Sequence, residues 1–368
     1  MEDLIYLANE YESLLNKRFK YVFENNVSFA FQFQPRNFYH LLGFHKLSDS
    51  TVEQMLLNNI FNREDFFKYV KEGRIGLDYI DASVLNGFTD CVVNFNDTHH
   101  QSKLNDIKRN RFEYFKASFL QELLLSKIII DFNPEDCDSD IQAEKLFFKM
   151  IEAENRNLNL FIGKNEEQNY FYPATFFLET RKDRYKQNVD TTEQIQLKLL
   201  SREIVDLTSN QTVDFYVNWI NVFREVASSK EQEVLNTLKH WHGTYISEQY
   251  ANAEIVALQK EITTDELQKR KLDKIKPNTQ DEARDVKKKI RTIAKELKNN
   301  KREVEVLRQY LLIVHNLELK SLLKIYQEYF HNALNKDILR KMLSDNNFFN
   351  TTLYPNQFIE IYNRYSYN

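Results

Sequence analysis

The chain has 368 residues, with 50 Lys and Arg against 54 Asp and Glu; the net charge of −4 gives no global basic field for nucleic acid and leaves room for a local one. Its 6 glycines fit neither GxxxxGKS/T nor GxGxxG, which excludes the two common phosphate-cradling loops. Two cysteines without a CxxC pair give no disulfide framework, and no apolar run approaches the ~20 residues of a membrane span.

The N-terminus, Met1-Glu-Asp-Leu-Ile-Tyr6, is acidic and amphipathic rather than a signal peptide, so the expected setting is a reducing cytoplasm without a membrane. Residues 2–24 place Leu4, Leu7, Tyr11, Leu15, Phe19 and Phe23 near helical spacing and predict one helix. Val27, Phe29, Phe31 and Phe33 alternate as a strand does, and Pro35 then opens a helix around His40. Short helices are predicted from Ser50 to Ile60 and from Asn62 to Val70, and a longer one from Leu104 to Leu125. The apolar run Lys127–Phe132 reads as a strand, 140–155 as a helix, and 158–162, 170–179 and 194–200 as three more strands.

The expected fold is therefore α+β: N-terminal helices with a small antiparallel sheet of about four strands, then an all-α C-terminal domain. The boundary is placed near Asp206–Asn210, giving domains 1–207 and 208–368, where Thr208-Ser-Asn looks like a helix cap. In the second half helices are predicted over 214–228, 231–274 and 280–334, broken by Lys276-Pro-Asn-Thr279. Ile290, Ile293, Leu297, Val304, Leu307, Leu311 and Val314 step by three and four as a heptad seam. Its expected partner is the preceding helix, folded back as a hairpin. A protein partner or a homodimer mate through 231–334 is the rival.

Two groups could carry chemistry. His40 stands among aromatic and aliphatic residues in Phe38-Tyr-His-Leu-Leu-Gly-Phe-His-Lys-Leu47, with Arg36 one helical turn earlier and His45 and Lys46 following. Histidine titrates near neutrality and serves as a general acid or base; a core histidine with a satisfied hydrogen bond is the plainer reading. The second group is Thr180-Arg-Lys-Asp-Arg-Tyr-Lys-Gln187, whose Arg181, Lys182, Arg184 and Lys186 stand beside Tyr185 and Gln187 at a strand end. Arginine suits a phosphodiester and the charge developing on its oxygens, whereas a solvated basic turn needs no function. A histidine and a cation cluster in one domain are what RNA cleavage without metal or cofactor requires: one group takes the 2′-hydroxyl proton, another protonates the leaving oxygen, and cations stabilise the phosphate.

Other groupings carry less. His99-His100 reads as a loop, and His240 and His242 would face different sides of a helix, a poor arrangement for a shared metal. Arg36 lies too close to His40 for the R-x4–6-H signature of HEPN ribonucleases. The cations from Arg284 to Arg302 could follow a nucleic-acid backbone or form the solvated face of a long helix.

Phe38–Leu47, Arg111-Phe-Glu-Tyr-Phe115, Lys127–Phe132 and Tyr172-Pro-Ala-Thr-Phe-Phe-Leu178 together resemble a phage-associated nuclease family of the superfamily that groups barnase, EndoU, the tRNA-cleaving colicins and RelE. The resemblance covers roughly the first 205 residues and rests most on F-x-H-L-x-G with the later Y-P-x-x-F-F. It implies a metal-independent endoribonuclease, carried by mobile elements as a toxin or defence effector and acting on RNA, tRNA among the candidates. His40 matches the family histidine. Arg181, Arg184, Lys186 and Tyr185 fall in the region expected to stabilise phosphate, with Arg36, His45, Lys46, Lys182 and Gln187 as substrate contacts. A second catalytic histidine has three candidates, His45, His99 and His100. The alternative function is a non-catalytic phage or mobile-element protein that binds and inhibits, or senses, another protein through its helical hairpin.

Overall fold

The computed structural model describes residues 4–46, 62–76, 105–136, 141–153, 155–167, 169–179, 194–243, 246–330, 333–346 and 353–367. They form two compact units, 1–216 and 217–368.

The N-terminal unit is built on eight strands: β1 (Lys17–Phe23), β2 (Ser28–Gln32), β3 (Ile128–Asp131), β4 (Lys145–Ile151), β5 (Arg156–Asn165), β6 (Tyr170–Leu178), β7 (Ile195–Asp206) and β8 (Gln211–Val217). Their order is β1-β2-β6-β5-β4-β3-β7-β8, and β1 also pairs with β7 from Lys17↔Asp206 to Phe23↔Leu199. That extra pairing closes seven strands into a barrel, with β8 appended to β7 outside the ring. Within the ring only β2–β6 is parallel. Closure removes the exposed edges that an open sheet leaves.

This corrects the small four-stranded sheet expected from the sequence. Phe19 and Phe23 are four apart and fit a helix, but Phe19, Tyr21 and Phe23 also alternate, and the second period wins. The first helix, α1 (Leu4–Glu12), stops well short, and Asn16 then turns with φ 57° before β1 begins. The predicted helix over 140–155 is instead β4 and its turn. The expected cap Thr208-Ser-Asn is the β7–β8 turn, where the Asp206 carboxylate accepts from the Thr208 and Ser209 amides. A glycine-poor chain needs another residue for left-handed turn positions, and asparagine tolerates them. Asn25 and Asn26 turn β1 into β2, Asn155 turns β4 into β5, Asn169 turns β5 into β6 and Asn210 turns β7 into β8, all at φ between 47° and 61°.

The barrel interior is aromatic. Phe19 faces Phe31 and Tyr21 faces Phe29 across β1–β2, with ring centroids 5.4 and 5.6 Å apart. Such pairs add to the burial of large apolar faces. The same continuous core takes in α1, α2 (Pro35–Leu41), α3 (Arg63–Lys71) and α4 (Ala117–Leu124). The long helix expected over 104–125 is interrupted: a helical stretch at 105–110 is followed by a single 3-10 turn, Phe112–Tyr114, before α4.

The second unit is helical: α5 (Trp219–Val226), α6 (Ser229–His242), α7 (Glu248–Asp273), α8 (Gln280–Gln327), α9 (Lys336–Asp345) and α10 (Pro355–Ser366). Gly243, at φ 71°, ends α6 and splits the single helix expected over 231–274. Thr279 and Glu282 cap the 48-residue α8 reciprocally. Ile293, Leu297, Val304, Leu307 and Val314 are buried along it. Helix α7 lies antiparallel beside it, tied by Asn300 to Glu261 and by Lys301 to Glu266 at 2.7 Å.

Candidate active site

Pro35 opens α2 with the φ it already prefers, and Gln34 and Asn37 cap the helix reciprocally. The Tyr11 hydroxyl donates to the Gln34 carbonyl at 2.7 Å and pins the helix entry to α1. Phe38, Tyr39, Leu41 and Leu42 are buried, which leaves His40 half-exposed at the rim. Gly43, at φ 83°, reverses the chain, and a 3-10 turn, Phe44–Lys46, buries Phe44 and returns His45 to His40. The two imidazole centroids are 4.9 Å apart.

Arg111 explains the glycine in the motif. A Cβ on Gly43 would lie 2.7 Å from the Arg111 Nε and 2.8 Å from its Cδ. Arg111 is only 3 % exposed, and its Nη1 donates to the Leu41 carbonyl at 2.9 Å, the Thr175 hydroxyl at 3.2 Å and the Phe176 carbonyl. All three acceptors are neutral. No carboxylate among the described residues offsets the cost of desolvating this guanidinium, and burial pushes Arg111 down to about 9, so it still carries its charge at neutral pH.

Arg63, at the start of α3, holds its guanidinium carbon 6.0 Å from the Tyr39 ring centroid. Burial first, then Arg63 and Arg111, push His40 down to about 4. Burial, His40, Arg111, Lys46 and Arg63 push His45 down to about 3. Both imidazoles are thus neutral at pH 7, and the charges acting on them among the described residues are all positive. The buried Nδ1 of His45 has no hydrogen-bond partner among those residues. The negative charge of an anion placed beside the pair would raise both histidines again.

Arg36, one turn before His40, donates to the Tyr170 hydroxyl at 2.6 Å and stands over that ring. Lys46 is exposed beside His45. Arg181, Lys182, Arg184, Tyr185, Lys186 and Gln187 lie outside the described residues, as do His99 and His100. Among the described residues no three His, Cys, Asp or Glu side chains converge as metal ligands.

The family model described as phage-Barnase-EndoU-ColicinE5/D-RelE like nuclease4 matches residues 4–218, more than half of the chain. The chain belongs to this nuclease family. No curated protein and no solved structure matches it. The match spans the barrel and the histidine pair and ends just inside the helical unit. Family membership makes the chain nuclease-like and phage-associated, with nucleic acid as the substrate class. Within this nuclease domain sequence reasoning passed over two cations, Arg63 and Arg111. Nothing in the local sequence singles Arg111 out, since it follows Lys108 and Arg109 and precedes Glu113 in an ordinary charged stretch.

Proposed function

We propose that the N-terminal unit is an endoribonuclease that cleaves RNA without a metal, by attack of the 2′-hydroxyl on the adjacent phosphate. One imidazole of the His40–His45 pair takes the hydroxyl proton, and the other, protonated when the phosphate is bound, gives a proton to the departing 5′-oxygen. The guanidinium of Arg63 and the buried charge of Arg111 stabilise the extra negative charge on the pentacoordinate phosphate. Arg36 and Lys46 hold the flanking backbone. Arg181, Arg184, Tyr185 and Lys186, with Lys182 and Gln187, are proposed as further contacts from the segment that follows β6.

The observation that carries this reading is the meeting of two histidines 4.9 Å apart, held neutral by burial and by neighbouring charges that are all positive among the described residues. Product chemistry tests it. Transfer RNA incubated with the protein in excess EDTA is expected to yield fragments ending in a 2′,3′-cyclic phosphate. Fragments with 5′-phosphate ends, or cleavage that disappears with EDTA, would refute the mechanism.

A further inference from the structure

The long helix α8 carries a second feature, outside the part matched to the nuclease family. From Arg284, the residues Lys287, Lys288, Arg291, Lys295, Lys298 and Arg302 follow 3, 4, 7, 11, 14 and 18 positions on. At 3.6 residues per turn these offsets stay within an arc of roughly 100°, and at 1.5 Å per residue they run for about 27 Å. All seven are exposed. The buried seam of Ile293, Leu297 and Val304 lies on the opposite side of the helix. No acidic residue of this stretch falls in the same arc: Asp285 and Glu296 project to the flank. Among the described residues only Arg284 of the seven has an ion pair, at 3.7 Å to the exposed Asp281.

The α7–α8 turn adds to the field. Residues 269–302 hold 14 Lys or Arg against five Asp or Glu, a local excess of nine positive charges in a chain whose net charge is −4. At the far end of the row, Arg302 borders an open cleft of about 650 Å³ between α6 and α8, lined also by Gln232, Glu233, Asn236, His240 and Trp241. A straight row of cations ending at an indole and amide groups matches a polynucleotide, with phosphates on the row and a base against the ring. An acidic protein would be served by the charges and would have no need of the cleft.

We propose that this face of α8, with the Trp241 cleft, is an RNA-docking surface that grips the sugar-phosphate backbone without reading sequence. The choice of RNA over DNA rests on the ribonuclease reading of the N-terminal unit; the assignment to a polynucleotide rests on the row and cleft alone.

The test uses the full chain with His40→Ala and His45→Ala, so that binding is read without cleavage. Fluorescence anisotropy of a labelled transfer-RNA pool is followed from 50 to 300 mM salt. Neutralising Lys287, Lys288, Arg291 and Lys295 to Gln is expected to flatten the slope of log affinity against log salt by roughly 3, at about 0.7 to 0.9 per lost contact. Trp241→Ala is expected to weaken binding by roughly 5- to 150-fold. Lys336→Gln with Lys341→Gln, exposed cations on α9, should change little. Circular dichroism keeps loss of helix distinct from loss of contact.

Equal affinity and salt slope for the four-fold variant would overturn the docking surface. Tighter row-dependent binding of duplex DNA of equal length would overturn the choice of RNA. Because the background is already cleavage-deficient, failure of the ribonuclease reading shows in product analysis and leaves this measurement unaffected.

Discussion

At the scale of single residues, the His40–His45 pair is defined by what surrounds it. Two half-exposed imidazoles near arginines are neutral at pH 7, and nothing among the described residues holds either one charged. This makes two pH predictions. The folded-state values, about 4 and 3, lie below the value near 6.5 of an unfolded histidine. Between them the unfolded chain binds more protons than the folded one, so stability is full above about pH 6.5 and falls as pH drops towards the folded values. Urea titrations at pH 7 and pH 4.5 should show that loss, and His40→Gln with His45→Gln should shrink it; an undiminished loss would place its cause elsewhere. Kinetics give the second. The profile of kcat/KM reports the free enzyme and that of kcat the bound complex, where a phosphate raises both imidazoles. The kcat/KM optimum should lie on the acid side of the kcat optimum, and coincident profiles would argue against an anion seated between the rings.

At the scale of elements, α2 and the turn after it are one device. The helix buries Phe38, Leu41 and Leu42, the glycine reverses the chain at φ 83°, and the space left by the missing Cβ is filled by Arg111. Gly43→Ala combines a disfavoured backbone region with a clash against a fully buried cation. It should destabilise the barrel unit by about 1–3 kcal/mol in chemical denaturation, where Gly73→Ala, whose added Cβ would meet only Ile5 at 3.6 Å, should cost less. Equal losses would mean that Arg111 yields easily. The same elements show what the sequence disclosed. The motif around His40 was legible because its histidine and glycine have no packing purpose in a plain amphipathic helix. Strands β2, β3, β5, β6 and part of β7 were legible from alternation or apolar runs. Strand β1 was not, because Leu15, Phe19 and Phe23 satisfy both periods, and the pairing with β7 that decides between them comes from residues almost two hundred positions away. The left-handed asparagines were the overlooked local signal: Asn25-Asn26 is hairpin chemistry written without glycine. Arg111 reached the site through a contact 70 residues long in sequence, which no spacing rule anticipates.

At the scale of the whole molecule, β8 belongs with the barrel. Arg202 on β7, nearly buried, pairs with Asp214 on β8 at 2.8 Å, and Thr212 donates to Glu203 at 3.0 Å. A boundary at residue 207 would cut this hairpin and leave Arg202 without its carboxylate, the costly way to break a buried pair. A fragment of residues 1–217 should therefore unfold cooperatively, and one of residues 1–207 should melt several degrees lower; equal melting temperatures would show that the barrel does not need its eighth strand.

The histidine pair is the centre of this account, and initial rates of RNA cleavage in EDTA test it most directly. Single replacements, His40→Ala and His45→Ala, should each lower kcat by about 10²- to 10⁴-fold while circular dichroism stays unchanged, and the double replacement should cost little more than the worse single one, as expected of groups that act together. Wild-type rates in either folded variant would contradict it.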